Sequence, residues 1–340
     1  MDNKLIATVD IGSHSCILLI AAFEELPLST GSTGSRFASS LTLSGTESPA
    51  EAIASKDTEP AEVSAEKGDG TAPRKVLVPK LQKVEVCRLG EDIYEHGKIT
   101  EKRMKELEAI MTKFRMDLHA LGANLKAAVM TEAMRNAENP DEVIAVVEKA
   151  LWIKPRIISG EEEGKLTYRS VKEWHGDGIV TIDIGGGSTE LSNGANTFSI
   201  PVGALKMFKA MGPIPGPEYK KFVKETFKEV SFKGMTKKPV YLIGGTGTAL
   251  AMVYLNKQQF DYKAIEGLEL SINDLDAVTT RISNLSKELR AMLPGLENGR
   301  HEVIICGLFW LKSLLEKLRV ETFKISTAGL RFGLLYEEER

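Results

Sequence analysis

The sequence predicts an α/β protein made of two similar halves. Three observations predict this: a length of 340 residues, an alternation of strand-like and helix-like segments, and one hairpin pattern that occurs twice. The two copies, VDIGS at 9–13 and IDIGG at 182–186, both run from an apolar strand through an aspartate into a tight turn. Because domains usually contain roughly 100–200 residues, we expect two domains, over residues 1–174 and 175–340.

Composition and charge exclude several classes of protein. The chain carries 44 basic and 47 acidic residues, a net charge of −3, which argues against a whole-protein footprint on nucleic acid. No apolar run reaches about 18 residues and the first residues lack a signal-peptide pattern, so we expect no membrane segment and a cytoplasmic location. The 3 cysteines, Cys16, Cys87 and Cys306, are spaced too far apart for a disulfide framework or a zinc site.

The first half begins with a hairpin and a long polar insertion. Residues 5–23 predict two strands joined by a turn at Gly12-Ser13. Apart from alanine, residues 29–75 contain five hydrophobic residues, too few to offset the entropy of ordering the segment. We therefore predict a disordered insertion at the hairpin tip, the alternative being an ordered cap. A third strand is predicted from about Val76.

Helical and strand patterns then alternate. Apolar spacings of three and four predict a helix over residues 100–121, capped by Thr100. The rest of this half predicts a strand at 125–131, a helix at 142–151 that Pro140 can open, a strand at 155–159 and a helix at 161–173. The second half predicts a hairpin at 178–194, a strand, glycine turn and helix at 240–253, helices at 272–292 and 303–318, and a closing segment at 325–335.

Glycine and small hydroxyl residues follow three of the predicted strands. Glycine lets backbone N–H groups approach an anion closely, and hydroxyl groups add donors. Three such loops predict a clamp around phosphates, whereas one alone could be a simple tight turn. Neither a P-loop nor a dinucleotide-binding glycine motif is present. The candidate phosphate-binding residues are Gly12, Ser13, His14 and Ser15 in the first loop, Gly185, Gly186, Gly187, Ser188 and Thr189 in the second, and Gly244, Gly245 and Thr246 in the third.

Acidic residues border these loops. Asp10 and Asp183 end their strands just before the turns, where a carboxylate beside a phosphate is repelled unless a cation intervenes. Mg²⁺ is held in this way by one or two carboxylates and by substrate oxygens. Glu190, across the second turn, points either to the same ion or to solvent. The run Glu161–Glu163 is either a charged first helical turn or the source of a general base, and Arg135 is either a phosphate contact or a surface residue.

Eight motifs occur in order along the chain and carry a family resemblance. They are DIGSHS, TEAMRNAEN, SGEEEGKLTY, DIGGGSTEL, IPVGALKM, LIGGTGTALA, RHEVIICG and STAGLRFG, and they span residues 4–336 apart from the insertion. They resemble the motifs of the exopolyphosphatase/guanosine pentaphosphate phosphatase (Ppx/GppA) family in its short, two-domain form. The resemblance implies two ribonuclease H-like domains of the actin/Hsp70/sugar kinase superfamily, with the active cleft between them.

The resemblance also implies an activity and residue roles. It implies release of the terminal phosphate of inorganic polyphosphate, or of the 5′ γ-phosphate of guanosine pentaphosphate. Glu163 matches the catalytic glutamate that orients or deprotonates the attacking water, and Arg135 matches a phosphate-contacting arginine. Asp183 and Glu190 match the Mg²⁺-linked acids, with Asp10 as a third candidate metal ligand. Mg²⁺ is the implied cofactor, with stimulation by a monovalent cation, and a homodimer is the one protein assembly implied.

Three positions depart from the family's pattern. His14 stands where Asn is usual, Ile17 where many members have Arg, and Phe332 where Glu is usual. These departures bear on substrate preference more than on the catalytic acid.

Two other functions stay open: an ATP-dependent phosphotransferase of the same superfamily, and a regulator that binds guanosine tetra- or pentaphosphate without turnover. The lysines between positions 206 and 238 are either a track for a long polyanion or a solvated helix face.

Overall fold

The computed structural model describes residues 4–26, 74–296 and 299–337, whose strands form two sheets. The strands of the first sheet are β1 (Ile6–Ile11), β2 (Ser15–Leu26), β3 (Arg74–Val86), β4 (Asn124–Met130) and β5 (Arg156–Ile157). The strands of the second sheet are β6 (Val180–Ile184), β7 (Thr189–Ser192), β8 (Thr197–Ile200), β9 (Val240–Ile243), β10 (Glu269–Ser271) and β11 (Thr322–Ile325).

The α-helices of the described residues surround these sheets. They are α1 (Leu89–His96), α2 (Glu101–Leu121), α3 (Glu132–Arg135), α4 (Pro140–Leu151), α5 (Gly160–His175), α6 (Ala204–Met211), α7 (Tyr219–Thr226), α8 (Gly244–Leu255), α9 (Tyr262–Ile265), α10 (Ile272–Ser283), α11 (Lys287–Ala291), α12 (Arg300–Leu318) and α13 (Leu330–Glu337). None of the helices in this described part of the chain is long and apolar enough to cross a membrane.

The first predicted hairpin is confirmed and is longer than expected. Strands β1 and β2 pair antiparallel, with Asp10 opposite Ile17. The predicted insertion lies outside the described residues except for Arg74 and Lys75. These two residues belong to β3, because they continue the antiparallel pairing with the far end of β2. Strand β3 lies at the sheet edge, where Pro79 is tolerated because no further strand needs its missing N–H group.

The second sheet repeats the first, as the duplicated sequence pattern predicts. The first sheet has the order β3-β2-β1-β4-β5, and the second contains β8-β7-β6-β9-β11 with β10 added beyond β11. In both sheets the first three strands are antiparallel, and the next strand pairs in parallel with the first. In the second hairpin, Asp183 is opposite Glu190. The two aspartates therefore occupy equivalent strand positions.

Most predicted helices are confirmed, and one is divided. The Thr100 side chain caps α2 by accepting a hydrogen bond from the N–H of Arg103. The segment predicted as one helix over 272–292 forms α10 and α11. The division occurs because the Ser286 hydroxyl accepts from the N–H of Leu289 and starts a new helix there.

Helices α5 and α13 join the two halves. Helix α5 packs on the strands of the second hairpin, β6 and β7, and on β8, whereas α13 packs on α5 and on β1. The rings of Trp174 and Phe332 meet edge to face at 5.0 Å, and both are buried. Phe332, one of the three departures, is thus a core residue at this crossing. The boundary between residues 174 and 175 stays a prediction.

Candidate active site

The three glycine loops meet at one cavity of about 150 Å³ between the two sheets. The first two lie between β1 and β2 and between β6 and β7. The third, predicted as a separate turn, is the first turn of α8, because the helix begins at Gly244 directly after β9. The predicted residues that line the cavity are Asp10, Gly12, Ser13, His14, Ser15, Glu163, Asp183, Gly185, Gly186, Gly187, Ser188, Gly244, Gly245 and Thr246. Arg135, Thr189 and Glu190 are not among the residues that line it.

The first loop is fixed by the start of α1. The carbonyl of His14 accepts hydrogen bonds from the N–H groups of Cys87 and Arg88, both at 3.0 Å. The carbonyl of Ser13 accepts from the N–H of Gly90 at 2.7 Å. Arg88 is the N-cap of α1 and Gly90 lies in its first turn, so their N–H groups have no partner within the helix and the loop satisfies them. The loop is thereby held in one conformation.

The second loop is fixed in the same way by the start of α6. The carbonyls of Gly185 and Gly186 accept from the N–H groups of Ala204 and Leu205 at 2.9 Å. Close packing accompanies these bonds, since a Cβ on Gly203 would lie 2.4 Å from the carbonyl of Gly186. The structural duplication therefore extends from the hairpins to the helices that support their turns.

Glu163 is held by Arg135 at the edge of the cavity. The guanidinium of Arg135 donates to the Glu163 carboxylate at 3.1 Å and to the carbonyl of Ile158 at 2.9 Å. Its other nitrogen lies 3.5 Å from the Ser188 hydroxyl. Burial raises the pKa of Glu163 well above its usual range, and the negative charge of Glu190 raises it further, against the lowering effect of Arg135. Glu163 is therefore an oriented, partly desolvated carboxyl group with the properties of a general base.

Glu190, Thr189 and Thr246 form hydrogen bonds with other residues of the protein. The Ser199 hydroxyl donates to the Glu190 carboxylate at 2.8 Å. Burial, and then the charge of Asp183, raise the pKa of Glu190 to about 8. The Thr189 hydroxyl donates to the carbonyl of Val202 at 2.6 Å, and that of Thr246 to the carbonyl of Ile184 at 3.1 Å. In this structure these two hydroxyl groups therefore stabilise the loops from within.

Asp10 and Asp183 fit a hard cation. Burial is the main cause that raises the pKa of each to about 6, and the charge of Asp10 adds to the shift of Asp183. The Oδ1 atom of Asp10 is buried and has no hydrogen-bond partner. A Cβ on Gly244 would lie 2.3 Å from a carboxylate oxygen of Asp183, so the third loop packs directly against that group. Two carboxylates in the lining of one cavity, one with a spare oxygen, suit Mg²⁺ that takes its other ligands from water and substrate.

No complete protein metal cage accompanies this pair within residues 4–26, 74–296 and 299–337. There, no group of three or more His, Cys, Asp or Glu side chains is arranged to hold a metal ion. Glu190 is thus not brought together with both aspartates as a three-carboxylate site. Its predicted role as a metal ligand stays a prediction.

Three charged residues of the lining had no role in the sequence-based predictions. Arg331 lies 3.8 Å from the Asp10 carboxylate and lowers the pKa of both aspartates. Arg300 lies at the start of α12, with its guanidinium 3.5 Å from the carbonyl of Gly245. Glu132, the first residue of α3, is buried against the first two loops. All three belong to motifs quoted above, but the sequence does not show that they meet at one cavity.

Comparison with known proteins identifies the family. The sequence model of the Ppx/GppA phosphatase family matches residues 68–340. The chain belongs to this family. Among curated Ppx/GppA relatives, Exopolyphosphatase 1 of Mycobacterium leprae (strain TN) is 27% identical over 264 residues, which cover 73% of this chain and 78% of that protein.

Solved structures confirm the predicted fold. A Ppx/GppA family member from Aquifex aeolicus superposes with a TM-score of 0.70 at 23% identity, covering 99% of this chain and 97% of that one. An exopolyphosphatase from Cytophaga hutchinsonii gives 0.74 at 18% identity, covering 98% and 97%. The chain therefore has the actin-like fold of the Ppx/GppA family, with two ribonuclease H-like halves and a cleft between them.

Proposed function

We propose that this protein is a Mg²⁺-dependent phosphoanhydride hydrolase. It releases terminal orthophosphate from inorganic polyphosphate, or the 5′ γ-phosphate from guanosine pentaphosphate. One observation carries the proposal: an arginine-held, mostly buried glutamate borders a cavity that three glycine loops enclose. Family membership and an exopolyphosphatase relative at 27% identity over most of the chain support it.

Glu163 is the group that receives a proton from water in this proposal. Its raised pKa makes its ionised form a stronger base than an ordinary carboxylate. Arg135 keeps the carboxylate oriented, since its guanidinium is also fixed by the Ile158 carbonyl. Phosphoryl transfer demands mainly positioning and neutralisation of charge, and little covalent chemistry. An oriented base supplies the positioning, and the charge must be neutralised by the cation and by the arginines of the cavity.

Asp10 and Asp183 would hold the cation, and the loops and arginines would hold the phosphates. A bound Mg²⁺ ion neutralises negative charge on phosphate oxygens. Because Asp10 retains an unpartnered buried oxygen, it can bind that ion without losing a contact that it makes now. Arg300 and Arg331 line the same cavity and supply positive charge for anionic groups.

Phosphate release tests the function directly. Orthophosphate is measured from long-chain polyphosphate and from guanosine pentaphosphate in parallel, with Mg²⁺ and with a chelator. We expect release from at least one substrate and its loss with the chelator. Binding of either substrate without release would instead identify a regulator, and transfer of the ATP γ-phosphate to an acceptor would identify a phosphotransferase.

A matched pair of substitutions tests the base. Glu163→Gln keeps the shape of the side chain but removes its proton-accepting ability, so we expect kcat to fall by about 10²- to 10⁴-fold while polyphosphate binding is retained. Glu161→Gln is the control, because Glu161 lies in the same helical turn but is exposed. Near-normal turnover by Glu163→Gln would exclude Glu163 as the base.

A further inference from the structure

Glu132 places a negative charge in the wall of a cavity that suits anions. It lines the cavity with Asp10, Glu163 and Asp183, yet only 8% of the residue is exposed. A carboxylate in this place repels a phosphate group unless it has another use. The proposed roles of base and cation ligand do not employ it. Its contacts therefore need an explanation of their own.

The carboxylate of Glu132 is held at both oxygens. The Ser13 hydroxyl donates to Oε2 at 2.8 Å, although the two residues are 119 positions apart in the chain. The side-chain amide of Asn136 donates to Oε1 at 2.8 Å and also to the Glu132 carbonyl at 3.0 Å. Asn136 thus fixes the direction of the carboxylate, and the carboxylate fixes the Ser13 hydroxyl. The first loop is tied to α3 by this bond.

The second loop packs against the same carboxylate from the opposite half of the molecule. A Cβ added to Gly187 would lie 2.0 Å from Oε2 and 2.2 Å from the carboxyl carbon of Glu132. Only glycine allows this approach, because any side chain would displace either the loop or the carboxylate. One oxygen atom therefore contacts Ser13 from the first sheet and Gly187 from the second.

We propose that Glu132 is a positioning residue that sets the spacing of the first two phosphate loops. The inference rests on the proposed function for its use, since the loops are the groups proposed to bind phosphate. Each loop belongs to a different sheet, so their separation is not fixed by strand pairing. The Glu132 carboxylate fills the gap between them and limits how closely they approach, while its bond to Ser13 holds the first loop on α3. The minimum width of the anion site is thereby set before substrate binds, which reduces the cost of ordering the loops.

Two substitutions at Glu132 separate positioning from charge. Glu132→Ala removes the contact with both loops, so we expect KM for polyphosphate to rise by about tenfold or more, with a smaller change in kcat. Glu132→Gln keeps the size of the side chain. Its amide can accept from Asn136 and donate to the Ser13 oxygen, so we expect KM to stay within about threefold of the wild-type value.

Two outcomes would overturn the proposal. If Glu132→Gln were as damaged as Glu132→Ala, the charge itself would be required, as expected of a cation ligand. If KM fell in both variants, Glu132 would act only by repelling the substrate. Thermal unfolding of each variant shows whether the fold is intact, and KM values are compared only for variants that unfold as cooperatively as the wild type.

A double-mutant cycle with Gly187 tests the contact from the other side. In the wild type, Gly187→Ala forces a Cβ into the Glu132 carboxylate, and we expect kcat/KM to fall by about 10²-fold or more. In the Glu132→Ala background the space is vacant, so the same change should cost less than about tenfold. Equal costs in the two backgrounds would contradict the proposed contact between Glu132 and the second loop.

Failure of the proposed function gives a different result from failure of this inference. If the wild type released no phosphate from either substrate, the function would be wrong. The same variants would then be compared by calorimetry for binding of pyrophosphate, a short phosphate chain. Weaker binding by Glu132→Ala with recovery by Glu132→Gln would still support the positioning role, and unchanged binding by both would contradict it.

Discussion

The two hairpins have the same backbone arrangement and differ in the residue that faces the aspartate. Ile17 is opposite Asp10 in the first hairpin, and Glu190 is opposite Asp183 in the second. In both, a helix start donates to the loop carbonyls. The shared features build the cavity and fix its loops. Because only the second hairpin has an acid opposite its aspartate, the shared backbone arrangement does not by itself determine where the charged side chains lie.

The segments after the parallel strands differ as well. Strand β4 leads into α3, which contributes the charged side chains of Glu132 and Arg135. Strand β9 leads into α8, whose first residues, Gly244 and Gly245, contribute backbone. A Cβ on Gly244 would collide with Asp183, so glycine is required where the second half approaches its own aspartate. The first half therefore supplies most of the polar side chains, and the second half supplies close backbone contact.

The equivalence of the two aspartates gives the prediction with the largest expected effect. We expect Asp10→Asn and Asp183→Asn each to lower kcat/KM by about 10²- to 10³-fold and to raise the Mg²⁺ concentration needed for half-maximal activity, because each removes one charge from the proposed cation pair. Activity is measured over a Mg²⁺ titration, with Asp276→Asn as the control, a surface residue that pairs with Lys312. A Mg²⁺ requirement that changes in only one variant would break the equivalence of the halves.

Glycine substitutions test how closely the two hairpin loops and their supporting helix are packed. Gly12 and Gly185 are equivalent, and a Cβ on either would lie 3.2 or 3.3 Å from a backbone carbonyl. We expect Gly12→Ala and Gly185→Ala to change the free energy of unfolding by small and similar amounts. Gly203→Ala places a Cβ 2.4 Å from Gly186 and should lower the free energy of unfolding by about 1–3 kcal/mol. Denaturant unfolding of the three variants checks this order, and a tolerated Gly203→Ala would contradict it.

Glu190, the acid that faces the aspartate in the second hairpin and has Ile17 as its counterpart in the first, predicts a pH-dependent stability. Because the folded pKa of Glu190 is about 8, above its usual 4.5, the folded state holds more protons than the unfolded state between these values. Stability is therefore lost as pH rises through this window. Without Mg²⁺, Glu190→Gln should raise Tm more at pH 8 than at pH 5, by at least roughly 2 °C. An equal change of Tm at both pH values would contradict a raised pKa of Glu190 in the folded state.

The residues that precede α1 and α6 give the prediction with the smallest expected effect on stability. Arg88 precedes α1 with φ of 51°, a left-handed conformation that costs a non-glycine residue about 1 kcal/mol. Gly203, its counterpart before α6, has φ of −134° and no such strain. Arg88→Gly should therefore raise the free energy of unfolding by up to about 1 kcal/mol, since glycine adopts the conformation without strain. Thermal unfolding measures it, and a lower Tm would show that side-chain contacts of Arg88 outweigh the strain.

Local patterns in the sequence were sufficient for much of the fold and for the loops. The hairpins depend on short-range alternation and turn residues, and α2 depends on apolar spacing and its cap at Thr100. The division of the helix over 272–292 was not predicted, because apolar spacing continues across the break while the cap at Ser286 depends on a side-chain bond. Glu163 could not be separated from Glu161 and Glu162 by spacing, and the family resemblance made that choice.

By itself the sequence determined which elements form and which residues border the three loops, since these properties depend on neighbours within a few positions. Only the tertiary structure decided the contacts that join distant parts of the chain. Arg135 meets Glu163 across 28 positions, and Ser13 meets Glu132 across 119. Phe332 is buried against Trp174 at the crossing of α5 and α13. Such contacts arise when two sheets pack together, and neither periodicity nor local spacing records which side chains that packing brings face to face.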